Sequence, residues 1–289
     1  MDNYILFQMH IMWYESKMLN ETLDSIQQAM KYSTLPVKVK LCINLQTYLE
    51  TPLTGSASDM IKEFASHNLL ESSQIIYKTD ADSFYNIGDW RREVYDIDAK
   101  YTVWGESDCL LPEDFFYILS TAQIDEPHSL TFSSRKMWDT TWDIVEHIDL
   151  HKYTRSINNV YQAPLSLNSC DVITQSELDT YNNQFDINIV KLPNTKIDGS
   201  LLCLSNKLNL QLIPEDMHFV REDFCAEQVL GLKNIPQYHV STRIKGHNYG
   251  HPLKRTNTNA TRDSNLFKSY ESQSRLAMQK FLANIQYNN

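Results

Sequence analysis

The alternation of strand-like and helix-like segments over the first 116 residues most limits what this chain can become. Tyr4 to Trp13 is a short apolar run that reads as a buried strand. Leu19, Leu23, Ile26 and Met30 then recur at spacings of three and four, the stripe of an amphipathic helix. Val37 to Leu45 alternates as a second strand, and Asp59 to Leu70 is amphipathic after a Thr/Ser/Pro/Gly loop at Thr51 to Ser58. Gln74 to Tyr77 reads as a third strand, Ile87 to Ile97 as a helix and Tyr101 to Trp104 as a fourth strand. Such a series predicts an α/β fold with a mostly parallel sheet and helices on both faces.

Beyond Pro112 the pattern changes. Ser129 to Ser133 reads as another strand, Asp143 to Ile148 as an edge strand or flap, and Asn158 to Pro193 as polar loops with one helix at Gln175 to Tyr181. Gly199 to Leu204 reads as a buried strand and Leu208 to Leu212 as a short apolar segment. Arg221 to Leu232 and Asn265 to Ile285 read as helices, the second with a stripe of Leu266, Tyr270, Ala277, Phe281 and Ile285. Arg243 to His251 carries the small residues of a flexible loop. No Pro/Gly/Ser linker divides the chain. The organisation expected is an α/β half at 1–120, a second half at 121–262 and a C-terminal amphipathic helix at 263–289.

The chemistry concentrates after the fourth strand. Gly105 ends it, Glu106-Ser107-Asp108 presents two carboxylates two residues apart, and Pro112 opens an acidic, apolar helix start whose cap is Glu113-Asp114. Two carboxylates at the carboxyl end of a strand suit a hard divalent cation beside a phosphate; the alternative is an exposed acidic turn. Net charge is −10, which argues against a general nucleic-acid coat or an anionic membrane surface. From Arg243 onward eight Lys/Arg face two Asp/Glu. That basic tail suggests either a local anion site or a solvated basic helix. Five widely spaced cysteines, without a Cys-x-x-Cys pair, suggest reduced thiols and a cytoplasmic setting. No run is long and apolar enough to predict a membrane span, and no signal peptide is read.

Four stretches resemble the metal-dependent glycosyltransferases of the GT-A fold, family 2 in particular. They are Trp13-Tyr14-Glu15-Ser16 with Leu19 to Ile26; Asn86-Ile87-Gly88-Asp89-Trp90-Arg91-Arg92; Glu106-Ser107-Asp108; and Asp198-Gly199-Ser200-Leu201-Leu202 with Arg221-Glu222-Asp223-Phe224. Two departures stand out: Glu106 replaces the family's first Asp, and the second strand ends in Cys42-Ile43-Asn44 without the acid that often holds the base.

The resemblance implies a Rossmann-like sheet with a fused acceptor-side region. It also implies transfer of a hexosyl or pentosyl group from a nucleoside-diphosphate sugar, with a UDP-sugar favoured. Mn²⁺ or Mg²⁺ is the implied cofactor, with Asp108, Glu106 and a later residue, His247, as ligands. Asp223 is the implied base of an inverting reaction, with Glu222 as the neighbour able to replace it. The donor would be met by Tyr14, Asp80, Asp82, Arg91, Arg92, Ser107, Lys245, Lys254 and Arg255. Trp138 and Trp142 suit an acceptor platform or core packing. The acceptor implied is a glycan, a protein or a modified DNA base. The alternatives are a catalytically degenerate binding protein of the same fold and a nucleotidyltransferase. The first strand lacks the glycine-rich turn a triphosphate site would want.

Overall fold

The computed structural model describes residues 4–12, 16–44, 69, 73–78, 85–139, 142–146, 155–157, 160–162, 174–192, 199, 201–247 and 265–287. The loop and helix expected over Thr51 to Leu70 lie, apart from Leu69, outside the described residues, as do Tyr14, Asp80, Asp82, Lys254 and Arg255.

The first half builds a parallel block. Its strands are β1 (Ile5–Met12), β2 (Val37–Asn44), β3 (Gln74–Lys78) and β4 (Tyr101–Gly105). They lie in the order β3-β2-β1-β4, every pair parallel. The order reverses at β1, which has its successor β2 on one side and β4 on the other. In open α/β sheets that reversal leaves a crevice at the carboxyl ends of the two strands, the usual place for a ligand.

Alternation along β1 sends Ile5, Phe7, Met9 and Ile11 to one face and Leu6 to the other, because successive side chains of a strand point oppositely. The first face packs on α1 (Ser16–Met30) and α3 (Phe115–Thr121). Leu19, Leu23, Ile26 and Ala29 of α1 are fully buried there. Each large aliphatic side chain contributes about 1.5–3 kcal/mol by leaving water. The opposite face receives α2 (Ile87–Glu93), whose Trp90 is buried with Leu6, Cys42 and Val94. Helices therefore cover both faces, as the alternation predicts.

The later strands join mostly antiparallel. Described are β5 (Cys109–Leu110), β6 (Ser129–Asp139), β7 (Trp142–Glu146), β8 (Arg155–Ile157), β9 (Val160–Gln162), β10 (Ile189–Lys191), β11 (Leu201–Ser205) and β12 (Gln237–His247). β11 lies antiparallel between β4 and β6, and β7, β9 and β8 continue the same sheet outward. The main core runs across the 120 boundary, joining Val103 and Phe116 to Leu130, Phe132, Leu201 and Val240. A second cluster joins Trp104, Leu202 and Leu204 to α5 (Glu222–Leu232) and α6 (Asn265–Tyr287). The remaining described helix is α4 (Gln175–Asn182).

Three expectations are corrected. The helix after Ile87 ends at Glu93 rather than Ile97. Asn158 to Pro193, read as polar loops with one helix, also carries the strands β9 and β10. The segment from Arg243 read as a loop is, through His247, the end of an 11-residue strand. β12 runs parallel to β6 and antiparallel to β5 and β10. Its register on β6 breaks between Val240 and Ile244, and there a side chain from α4 meets the strand backbone. Asn182 accepts from the Ile244 N–H at 2.7 Å and donates to the Ile244 carbonyl at 2.8 Å. Cys42, Cys109, Cys203 and Cys225 are buried thiols outside any disulfide. Among the described residues, no helix is long and apolar enough to cross a membrane.

Candidate functional site

The turn after β4 is held from beneath by α1. Thr22 Oγ1 donates to the Ser107 carbonyl at 2.6 Å, and Ser25 Oγ accepts from the Leu111 N–H at 3.3 Å. The Cys109 N–H closes the turn on the Glu106 carbonyl at 3.3 Å. Gly105 is needed here because a Cβ would stand 2.4 Å from the Phe7 ring. The turn thus leaves at a fixed angle. Glu106 keeps 24% of its side chain exposed, while Ser107 and Asp108 are 1% and 2% exposed.

Arg91 is the centre of the site. It is 1% exposed. Nη1 donates to Glu222 Oε1 at 2.9 Å, Nη2 donates to the Gly199 carbonyl at 2.8 Å, and Nη2 lies 3.8 Å from Glu106 Oε1. Its guanidinium also lies over the Trp104 ring, 5.1 Å from the centroid, an arrangement the ring's negative face favours. One cation therefore joins α2, the turn after β4, the turn at Gly199 and the start of α5.

The start of α5 is unusual backbone. Val220 and Arg221 both have positive φ, 69° and 70°. For a β-branched residue such as Val220 this is a strained conformation, of the kind that concentrates at functional sites. It turns the chain so that Glu222 faces Arg91. Asp223 Oδ1 accepts from the Phe224 N–H at 2.7 Å, and Oδ2 faces Gly199, where an added Cβ would stand 1.9 Å away. Only glycine lets that carboxylate approach so closely. Phe224 beside it is 42% exposed.

Burial pushes the Glu222 carboxyl up to about 7; Arg91 opposes the shift, and the Asp223 and Glu106 charges add to it. A raised carboxyl favours the folded state in its protonated form. That contribution is complete below the ordinary carboxylate range, at pH 4.5, and is lost as pH rises through about 7. The Glu222→Gln variant is therefore expected to lose less thermal stability than wild type between pH 5 and 8. Parallel wild-type and variant melting curves across that range would show the burial effect to be absent.

Polar residues inside β1 complete the cluster. His10 is 6% exposed, and burial followed by the Arg91 charge lowers its pKa to about 3. The imidazole is thus a neutral neighbour of the guanidinium. Asn44, fully buried at the end of β2, lies with Nδ2 3.3 Å from His10 Nε2 and donates to the Tyr85 carbonyl at 2.9 Å. Neither His10 nor Asn44 was singled out as a site residue. The available signal was a histidine and a glutamine, Gln8, interrupting an apolar strand.

The other expected residues are placed as follows. Arg92 donates to the carbonyls of Pro214 and Met217 at 2.8 and 2.6 Å and pairs with Asp89, so it holds the 214–218 turn against α2. In the same contact the Gly88 N–H donates to the His218 carbonyl at 2.8 Å, and a Cβ on Gly88 would stand 2.4 Å from the Met217 carbonyl oxygen. Lys245 is fully buried, with Nζ 3.9 Å from Cys109 Sγ. The register seats the His247 backbone opposite Cys109, one residue from Asp108. Asp114 occupies the N-cap position of α3 without capping it; its Oδ2 instead accepts from Arg243 Nε at 2.7 Å.

Among the described residues no three His, Cys, Asp or Glu side chains converge as a ready metal cage. The donor set still fits a hard divalent ion of the kind held by one or two carboxylates plus substrate phosphates. The Glu106 and Asp223 charges both reach Glu222, and Arg91 is the cation set among them.

No family model matches the chain. No curated protein matches it either. Among solved structures it resembles UDP-glucose pyrophosphorylase complexed with UDP-glucose, with 11% identity over 90% of this chain and 98% of that one, TM-score 0.39. It also resembles residues 1–349 of TarS from S. aureus in complex with UDP, with 10% identity over 94% and 69%, TM-score 0.43. A third match is 4-diphosphocytidyl-2C-methyl-D-erythritol synthase from Anaerococcus prevotii, with 9% identity over 86% and 91%, TM-score 0.37.

Proposed function

We propose that this chain transfers a sugar from a nucleoside-diphosphate donor, a UDP-sugar first, to an acceptor hydroxyl. One observation carries the reading: Arg91 ties the acids at the carboxyl end of β4 to the acids that open α5, at the point where strand order reverses. In this reading a ligand in the β1/β4 crevice meets Glu106 and Asp108 from the turn after β4 and Asp223 from the start of α5.

In this proposal Asp108 and Glu106 hold Mn²⁺ or Mg²⁺ together with the donor diphosphate, and the bound ion supplies neutralisation of the leaving phosphate. Asp223 accepts the proton of the attacking hydroxyl, its orientation fixed by the Phe224 N–H and the Gly199 backbone. Glu222, turned inward to Arg91, holds α5 in place. His247, by its backbone position beside Cys109, is the third candidate ligand.

The test is a donor screen with mass detection of products in the presence of Mn²⁺. Release of a nucleoside diphosphate together with free or transferred sugar is expected. Release of pyrophosphate from a nucleoside triphosphate and a sugar phosphate would instead identify a nucleotidyltransferase.

A further inference from the structure

We infer that Arg91 is a positioning residue: it sets the distance and angle between Glu106 and the Glu222–Asp223 helix start, and through Glu106 it controls how tightly a divalent cation is held. The inference deepens the proposed function and rests on its metal site.

The geometry argues for a shared guanidinium rather than a simple ion pair. Arg91 makes close hydrogen bonds to Glu222 and the Gly199 carbonyl, but its approach to Glu106 is longer, 3.8 Å. Arg91 thus attracts Glu106 without closing on it, and a quarter of the Glu106 side chain remains exposed. Glu222 and Gly199 come from distant parts of the chain, 131 and 108 positions away in sequence. The same guanidinium therefore fixes the base-bearing helix and tethers the candidate metal acid.

Two consequences follow from charge and shape. A lysine at 91 keeps the positive charge but has one nitrogen in place of the planar fork, so it cannot span three acceptors. Removing the Glu222 charge leaves the Arg91 charge to Glu106 alone. Glu106 is then drawn inward and competes less well for a cation. The second effect travels through Arg91, because Glu222 is itself placed against the guanidinium.

The experiment measures Mn²⁺ binding directly, from the free-Mn²⁺ paramagnetic resonance signal of the full chain titrated in the presence of UDP. Arg91→Lys is expected to weaken Mn²⁺ binding about tenfold or more, the loss usual for partners that orient a metal ligand. Glu222→Gln, nearly isosteric and neutral, is expected to weaken it in the same direction and covers the case in which Arg91→Lys does not fold. Ile118→Ala separates positioning from general loosening. Ile118 is 1% exposed in the main core on α3, so its truncation leaves a cavity away from α2, Arg91 and the carboxylates of the site. It is expected to lower the melting temperature with Mn²⁺ binding unchanged. Wild-type affinity in either folded Arg91 or Glu222 variant, or equal weakening in Ile118→Ala, overturns the inference alone. Failure of the wild-type protein to bind Mn²⁺ with UDP overturns the metal reading of the site and this inference with it.

Discussion

Asp223→Asn is expected to lower sugar transfer by about 10²–10⁴-fold, the usual contribution of a positioned base. The substitution changes little else. An asparagine oxygen still accepts the Phe224 N–H, and the side chain still fits against Gly199. The loss of a negative charge from the first turn of α5 costs about 0.3–1 kcal/mol against the helix dipole, a shift of at most a few degrees in Tm. Binding of UDP with Mn²⁺, followed by thermal shift, is therefore expected to stay near wild type while turnover collapses. Glu222→Gln offers the contrast: Glu222 is 6% exposed and bonded to Arg91, so its change acts through position and metal affinity rather than proton transfer. If Asp223→Asn keeps transfer within about tenfold of wild type, proton acceptance belongs elsewhere. A larger loss in Glu222→Gln than in Asp223→Asn, measured with Mn²⁺ saturating for each variant, would identify Glu222 as the base.

The parts of the fold with a clean period were legible in the sequence. β1, α1, β2 and β4 have one dominant environment on each face, and their apolar spacing reports it. β12 was not legible because its buried positions are largely polar: Ser241 and Lys245 are fully buried, and Arg243 is 6% exposed. These side chains are tolerated inside because distant residues answer them. Asn188 bonds to Ser241 and Thr242, Asn182 to Ile244, and Asp114 to Arg243. A polar strand matched by partners more than 50 positions away has no local signature. The site divides in the same way. Acids at the end of β4 and the start of α5 were readable as a strand-end pair and a helix opening. Arg91 was readable as a charge near a ligand but not as the link between them, since its partners come together only when β4, the Gly199 turn and α5 meet. His10 was hidden by its neighbours, and only the sheet register brings it to Asn44.

The second large effect concerns Asp108. Saturating UDP with Mn²⁺ is expected to stabilise the wild-type protein, because a ligand that binds only the folded state adds about 2.7 kcal/mol at 100 times its Kd. In a chain of this size that corresponds to a rise in Tm of about 4–5 °C. Asp108→Asn is expected to reduce this rise to about 1 °C or less while leaving the fold of the turn intact. The turn is held by Thr22 on the Ser107 carbonyl, by the Glu106–Cys109 closure and by Ser25 on Leu111, none of which uses the Asp108 side chain. The shift from each protein's own unliganded Tm is the readout, and it separates a metal ligand from a structural acid. A structural acid would lower the unliganded Tm and leave the ligand shift in place. A full Tm rise with UDP and Mn²⁺ in Asp108→Asn would remove Asp108 from the metal site and leave Glu106, the more exposed of the two carboxylates, as the side chain to examine next.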